Sequence, residues 1–194
     1  MASFYFWRLA TKPVKNANPV SWLFQSSLLG ICLFLLSACG DGTSAKAAAA
    51  AAEPKTIADY FVIKVGDVPA HLQVAVSHFE QERGLMQRRD LGPDDGMVFV
   101  YPSPQQLSYW MRNTPTPLDI GYFDAHGVLQ EVYPMYPYDE TPINSQSNQI
   151  QFAVEMHQGW YASKDLKPGA RLDLTALAAA LKARGFKPEH FGLN

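Results

Sequence analysis

The chain of 194 residues has 16 Lys and Arg against 18 Asp and Glu, a formal net charge of −2, with 47% hydrophobic and 12% aromatic residues. So many aromatics exclude a disordered chain, and 13 Gly with 14 Pro argue against a helical bundle, which leaves a β-rich fold. No basic excess is present, and no Lys/Arg run exceeds Arg88-Arg89, so nucleic acid is not expected as a partner.

Residues 1–38 read as a targeting segment. Arg8, Lys12 and Lys15 form a basic start without an acidic residue, and Val20 to Leu36 is mostly apolar. Leu36-Ser37-Ala38-Cys39 then resembles a bacterial lipobox, with cleavage before Cys39 and acylation of its thiol and new amino group. The alternative is a plain transmembrane anchor, since about 20 apolar residues span a bilayer. Cleavage leaves 13 Lys and Arg against 18 Asp and Glu, a formal charge of −5. It also removes Cys32 and commits Cys39 to lipid, so neither disulfide nor thiolate chemistry is expected in the domain. Residues 39–55 are expected to be the lipidated Cys and an Ala-rich tether between membrane and domain. Gly40 in place of an aspartate mildly favours the outer membrane, with the domain facing the periplasm.

The β-rich domain is placed at 56–175. Tyr60 to Val65 and Leu72 to Val76 read as strands around a Gly66-Asp67-Val68-Pro69 turn. Ser77-His78-Phe79-Glu80 matches a capping box, which predicts a short helix through about Met86 that buries Phe79, Leu85 or Met86. Met97 to Tyr101 is the next strand, broken by Pro102-Ser103-Pro104, and Leu107 to Met111 resumes extended structure. After Thr114-Pro115-Thr116-Pro117, alternation puts Leu118, Ile120 and Tyr122 on one face and Asp119, Gly121 and Phe123 on the other. Asp124 to Gly127 turns into Val128 to Tyr133, and Pro134 to Gln149 reads as a long loop. Ile150 to Met156 is a cleanly alternating strand, Trp160 to Asp165 one helical turn, and Leu166 to Leu172 a turn into a closing strand. A C-terminal helix over Thr175 to Arg184 and a tail occupy 176–194.

With these elements in order, Arg83-Gly84-Leu85-Met86, Gly96-Met97-Val98-Phe99-Val100, Trp110-Met111-Arg112-Asn113-Thr114, Pro117-Leu118-Asp119-Ile120 and Glu155 before Gly159 form a recognisable series. From about Val62 to Leu174 it resembles the domain-of-unknown-function 192 family. The resemblance implies a mainly β domain, a compact β-sandwich or barrel of mixed strands with one short helix, in small secreted or envelope proteins of no established activity. Many relatives have a Cys-Pro pair after the central hairpin where this chain has Tyr138-Asp139-Glu140-Thr141-Pro142, so a function that needs that cysteine is not expected.

The densest group of functional side chains is Trp110, Arg112, Asn113 and Thr114 with Asp119, and Arg83 and Glu155 lie on neighbouring elements. Together they suggest a cleft for a small polar, anionic or sugar-like ligand, with Arg112 as a bidentate fork and Trp110 and Tyr109 as a stacking platform. The same charges are equally suited to fastening strand ends to one another, and Asn113 and Thr114 to satisfying turn backbone. Two other functions are open: an enzyme acting on envelope carbohydrate with Asp119 and Glu155 as acid and base, and a Cu(I) site drawn from Met86, Met97, Met111, Met135 and Met156 with His71, His78 and His157. A third is an accessory role in which the loop Tyr133 to Gln149 meets an envelope protein. No zinc motif, nucleophile elbow or phosphate loop is present, and no cofactor is expected. Binding without catalysis is the favoured reading.

Overall fold

Gly66, at φ 58, turns β1 (Phe61–Val65) back into β2 (Val68–Ala75) as the alternation requires, with Phe61 opposite Leu72 and Val65 opposite Val68. These strands open a domain for which the computed structural model describes residues 53–194. The targeting segment, Cys39 and the tether before residue 53 lie outside the described residues.

Helix α1 (His78–Arg83) starts on the expected capping box: Ser77 Oγ accepts from the Glu80 amide, and Glu80 Oε2 accepts from the Ser77 amide at 3.0 Å. It stops earlier than the sequence suggests, because Gly84 takes φ 45 and ends the helix before Met86. Of the three residues offered for burial, Leu85, just past the helix, is the buried one, while Phe79 is 70% exposed and no residue of α1 itself is buried. A parallel pairing follows, with β3 (Asp95–Gln105) alongside β2, so α1 and its loop form a crossover. Strand β3 runs through Pro102 and Pro104 rather than ending at Tyr101, but its ladder is irregular between Val100 and Gln105, where prolines cannot donate.

The remaining strands are β4 (Ser108–Tyr109), β5 (Leu118–Asp124), β6 (Leu129–Met135), β7 (Ile143–Asn144) and β8 (Ile150–His157). They give an open six-stranded sheet in the order β1-β2-β3-β8-β5-β6, antiparallel except between β2 and β3, and a small sheet in which β4 pairs with β7. The fold is therefore mainly β and sandwich-like, and not a closed barrel. The segment from Pro134 to Gln149, expected as loop throughout, contains β7 and is bonded to the central stretch through Met111 N–H to Asp139 O at 2.7 Å.

Both faces of the large sheet are covered. On one face Ile63, Leu72, Val98, Phe123, Val154 and Met156 pack with residues of α2 (Trp160–Ser163), α3 (Leu174–Ala183) and the 3-10 turn Pro188–Phe191. On the other, Met97, Phe99, Ile120, Tyr122 and Ala153 pack with Leu85, Tyr109 and Met111. Strand β5 is consequently buried on both faces from Leu118 to Phe123. Gly121 is required in it: a Cβ there would stand 2.5 Å from the Tyr161 hydroxyl, which donates to Val154 O at 2.9 Å. The tail beyond Gly185, silent in the sequence, returns Phe191 and Leu193 to the first core.

Candidate functional site

On β8, alternation gives Phe152, Val154 and Met156 to the core beneath α3 and turns Ala153 and Glu155 to the other face. Glu155 stands opposite Met97 of β3 and Ile120 of β5, in the middle of the sheet. It is 5% exposed, and among the described residues no hydrogen bond or ion pair reaches its carboxyl. Burial alone pushes its pKa from 4.5 up to about 8, so the group is mostly a neutral acid at pH 7.

Above Glu155 lies a cavity of about 290 Å³. Its walls come from β3 (Phe99, Tyr101), β4 and the residue after it (Ser108, Tyr109, Trp110), Thr114, and α1 with its exit (Arg83 to Met86). The Tyr101 and Tyr109 hydroxyls are hydrogen-bonded to each other at 3.0 Å, and burial raises both phenol pKa values, so both stay protonated. Tyr109 is braced edge-on by Phe99, ring centres 5.0 Å apart. Thr114 Oγ1 donates to Arg112 O at 3.1 Å, which uses its proton and leaves its lone pairs free.

Of the seven ligand residues expected from the sequence, Arg83, Trp110, Thr114 and Glu155 line this cavity. The other three do not. Arg112 turns outward, pairing with Glu140 through Nε at 3.0 Å and Nη2 at 2.9 Å, and lies 3.9 Å over the Trp110 ring. Asn113 is a turn residue at φ 54 whose carbonyl accepts from the Gln87 amide at 2.8 Å. Asp119 is opposite Met156 in the β5–β8 ladder, which puts it on the α3 side of the sheet, where Oδ2 accepts from the Gly159 amide at 2.7 Å. Burial raises its pKa, and the Gly159 hydrogen bond opposes that shift.

That register corrects one expectation. Asp119 and Glu155 cannot act as an acid and base pair, because the sheet itself stands between their carboxyl groups. Arg112 lies outside this cavity, where its ion pair with Glu140 fastens the 139–142 segment. The Met and His set does not converge either: Met97, Met111 and Met135 are buried in one core and Met156 in the other, while His71 faces Asp95 and His78 faces Glu82. Tyr109, expected with Trp110 as a stacking surface, lines the cavity, and the residues that sequence reasoning missed are Tyr101 and Ser108. Their only signal was alternation along short strands, which marks burial and does not distinguish core from cavity wall.

Three residues around the rim hold left-handed backbone without being glycine: Gln87, Asn113 and Tyr138. They are stitched by Gln87 N–H to Asn113 O at 2.8 Å and Tyr138 N–H to Thr114 O at 3.2 Å. Such strain is kept where surrounding structure over-determines it, and here it fixes the Trp110 to Thr114 stretch beside the cavity.

Residues 61–174, which span the strands and the cavity walls, match the model of DUF192, a family described as "Uncharacterized ACR". The chain belongs to the DUF192 family. Among the solved structures similar to it are two bacterial proteins. One is a protein of unknown function from Novosphingobium aromaticivorans, 30% identical, TM-score 0.55, with 58% of this chain and 84% of that chain covered. The other is described as a putative transcription regulator from Sinorhizobium meliloti, 27% identical, TM-score 0.55, with 58% and 91% covered. No curated protein matches the chain. The DUF192 match includes every cavity residue named above and ends at Leu174, so most of α3 and the 3-10 turn lie beyond it.

Proposed function

We propose that this protein is a lipid-anchored envelope protein whose DUF192 domain holds a small polar ligand above Glu155 without transforming it. One observation carries the binding reading: a carboxyl that is 5% exposed and unpaired among the described residues opens onto a cavity of about 290 Å³ walled by aromatic rings. Drawing a carboxyl this far out of water is costly, and an apolar side chain at position 155 would avoid that cost. A carboxyl at that place fits a group that it meets on binding. Non-catalytic binding fits best because among the described residues no second carboxylate converges on the cavity depth; Asp119 faces the other way and Glu82 stands at the exposed rim.

The anchoring half rests on the basic start, the apolar run and Leu36-Ser37-Ala38-Cys39. Two acyl signals on one Cys suffice for stable attachment. Replacing Cys39 with Ser should then abolish both the lipid mass on the chain and its partition into the detergent phase; an unchanged partition refutes the anchor. The regulator description of the Sinorhizobium protein is not extended to this chain, since acidic residues outnumber basic ones and Arg88 is held by Asp90 at 2.6 Å.

Thermal melting of the full chain in detergent, against sugars, amines and organic acids, tests the binding reading. A ligand at a hundred times its dissociation constant stabilises the native state by about 2.7 kcal/mol, a shift of several degrees. Ser108→Phe, which fills the cavity from its wall, should keep the fold and abolish the shift. A shift that survives Ser108→Phe places the ligand elsewhere. A second reading, docking on an envelope protein, is favoured by the exposure of Tyr136 and Tyr138 in the 134–149 segment. Tyr136→Ser with Tyr138→Ser should then lose the partner while the melting temperature is unchanged.

A further inference from the structure

We infer that the Glu155 cavity takes the primary ammonium group of a small organic amine, an inference that rests on the binding reading above and names its ligand class. Thr114 Oγ1 has already given its proton to Arg112 O, so it can only accept. The Tyr101 and Tyr109 hydroxyls share one hydrogen bond, which leaves one spare proton between them and lone pairs on both oxygens. Glu155, once ionised, adds two more accepting oxygens. Apart from the spare phenol proton and the proton that Glu155 gives up, the deep polar atoms named here are acceptors, and a primary ammonium brings three donors and the charge that the ionised Glu155 lacks.

The walls agree. Phe99, Tyr109 and Trp110 line the cavity, and aromatic rings attract cations through their negative faces. Trp110 already holds one, the Arg112 guanidinium at 3.9 Å on the side away from Glu155's cavity lining. An anionic ligand finds the opposite: the permanent cation at the wall is Arg83, exposed at the mouth on α1, and the depth offers a carboxyl. Size limits the amine to a single sugar or a short chain, because about 290 Å³ lies at the lower end of small-molecule sites.

Binding of an amine must ionise Glu155, and so it expels a proton. The titratable groups around Glu155 are Tyr101 from β3, Tyr109 from β4, Tyr122 from β5, Tyr161 of α2 across the sheet, and His78, Glu82 and Arg83 at the rim. Burial raises the pKa of all four phenols, so they keep their protons, and Glu155 is the internal group that exchanges one.

The test is titration calorimetry of the full chain in detergent at pH 7, with glucosamine, putrescine and ethanolamine as amines and N-acetylglucosamine and glucuronate as neutral and anionic controls. An amine should bind and the two controls should not, and runs in buffers of different protonation enthalpy should give release of about one proton per amine bound. The binding member separates a sugar source from an alkyl or headgroup source. Glu155→Gln, with its circular dichroism unchanged, should weaken amine binding at least tenfold and abolish the release, while His71→Gln, beside Asp95 and off the cavity, should leave both intact. Amine binding without proton release, or unaffected by Glu155→Gln, overturns the inference. Glu155-dependent binding of a control alone overturns the amine class and leaves the cavity reading standing; no binding by any probe ends both.

Discussion

Glu155 enters the folded protein as a buried acid with no partner among the described residues, and burial binds its proton more tightly in the native state than in the unfolded chain. Its pKa rises from 4.5 to about 8 through burial. Below the unfolded value both states hold the proton and the carboxyl is indifferent to pH. From about pH 5 to about pH 8 only the native state holds it, so stability falls as pH rises, by several kcal/mol in total. Urea unfolding of the parent and of Glu155→Gln across that range should give curves that diverge steadily toward alkaline pH, with the variant the more stable at pH 8. Parallel curves would mean that Glu155 titrates normally. Asp119 is different in kind, since it has a partner in the Gly159 amide at 2.7 Å. Asp119→Ala should cost about 1 to 3 kcal/mol of stability by stranding that N–H, yet leave binding at the Glu155 cavity unchanged because it acts on the other face of the sheet. Loss of binding in a folded Asp119→Ala protein would sink the separation of faces.

At the scale of elements, α1 is too short to stand on its own propensity and is held from outside. Glu80 serves both as its capping-box residue and as the partner of Arg184, whose side chain is 5% exposed just beyond α3 and also donates to Val74 O. Burial opposes ionisation of Glu80, but Arg184 and the Val76 and Ser77 amides outweigh it and hold the pKa below 4.5. Glu80→Gln should therefore destabilise by about 3 kcal/mol, since it leaves Arg184 buried without a counter-charge, whereas Ser77→Ala should cost only about 1 kcal/mol. Equal losses in chemical denaturation would show that the cap, rather than the ion pair, fastens the helix. The cap was legible in Ser77 and Glu80, and the strands in their alternation. The second burial of β5 was not, because Asp119 and Gly121 look like a solvent face until α2 and α3 cover it. Phe79 misled for a related reason: six residues of helix riding on a crossover present no face to the core, and the sequence does not reveal which side the crossover leaves open.

Over the whole molecule, the candidate site was legible as a set of residue types and not as a convergence. Glu155 stood out as the charge in an apolar strand, and Trp110 to Thr114 as a dense stretch. What brings Glu155 under Trp110 and Thr114, and parts it from Asp119, is the placing of β8 between β3 and β5, a long-range choice that no local pattern encodes. The same placing orders the assembly of the fold. The last of the described strands is central in the large sheet, so a nascent chain ending before Ile150 holds that sheet as two fragments, β1 to β3 and β5 with β6, each with an unsatisfied inner edge. The sheet closes late, when β8 slots between them and carries Glu155 out of water. At neutral pH that closing step takes a proton from solution, which makes the molecule's final act of folding an acid–base event.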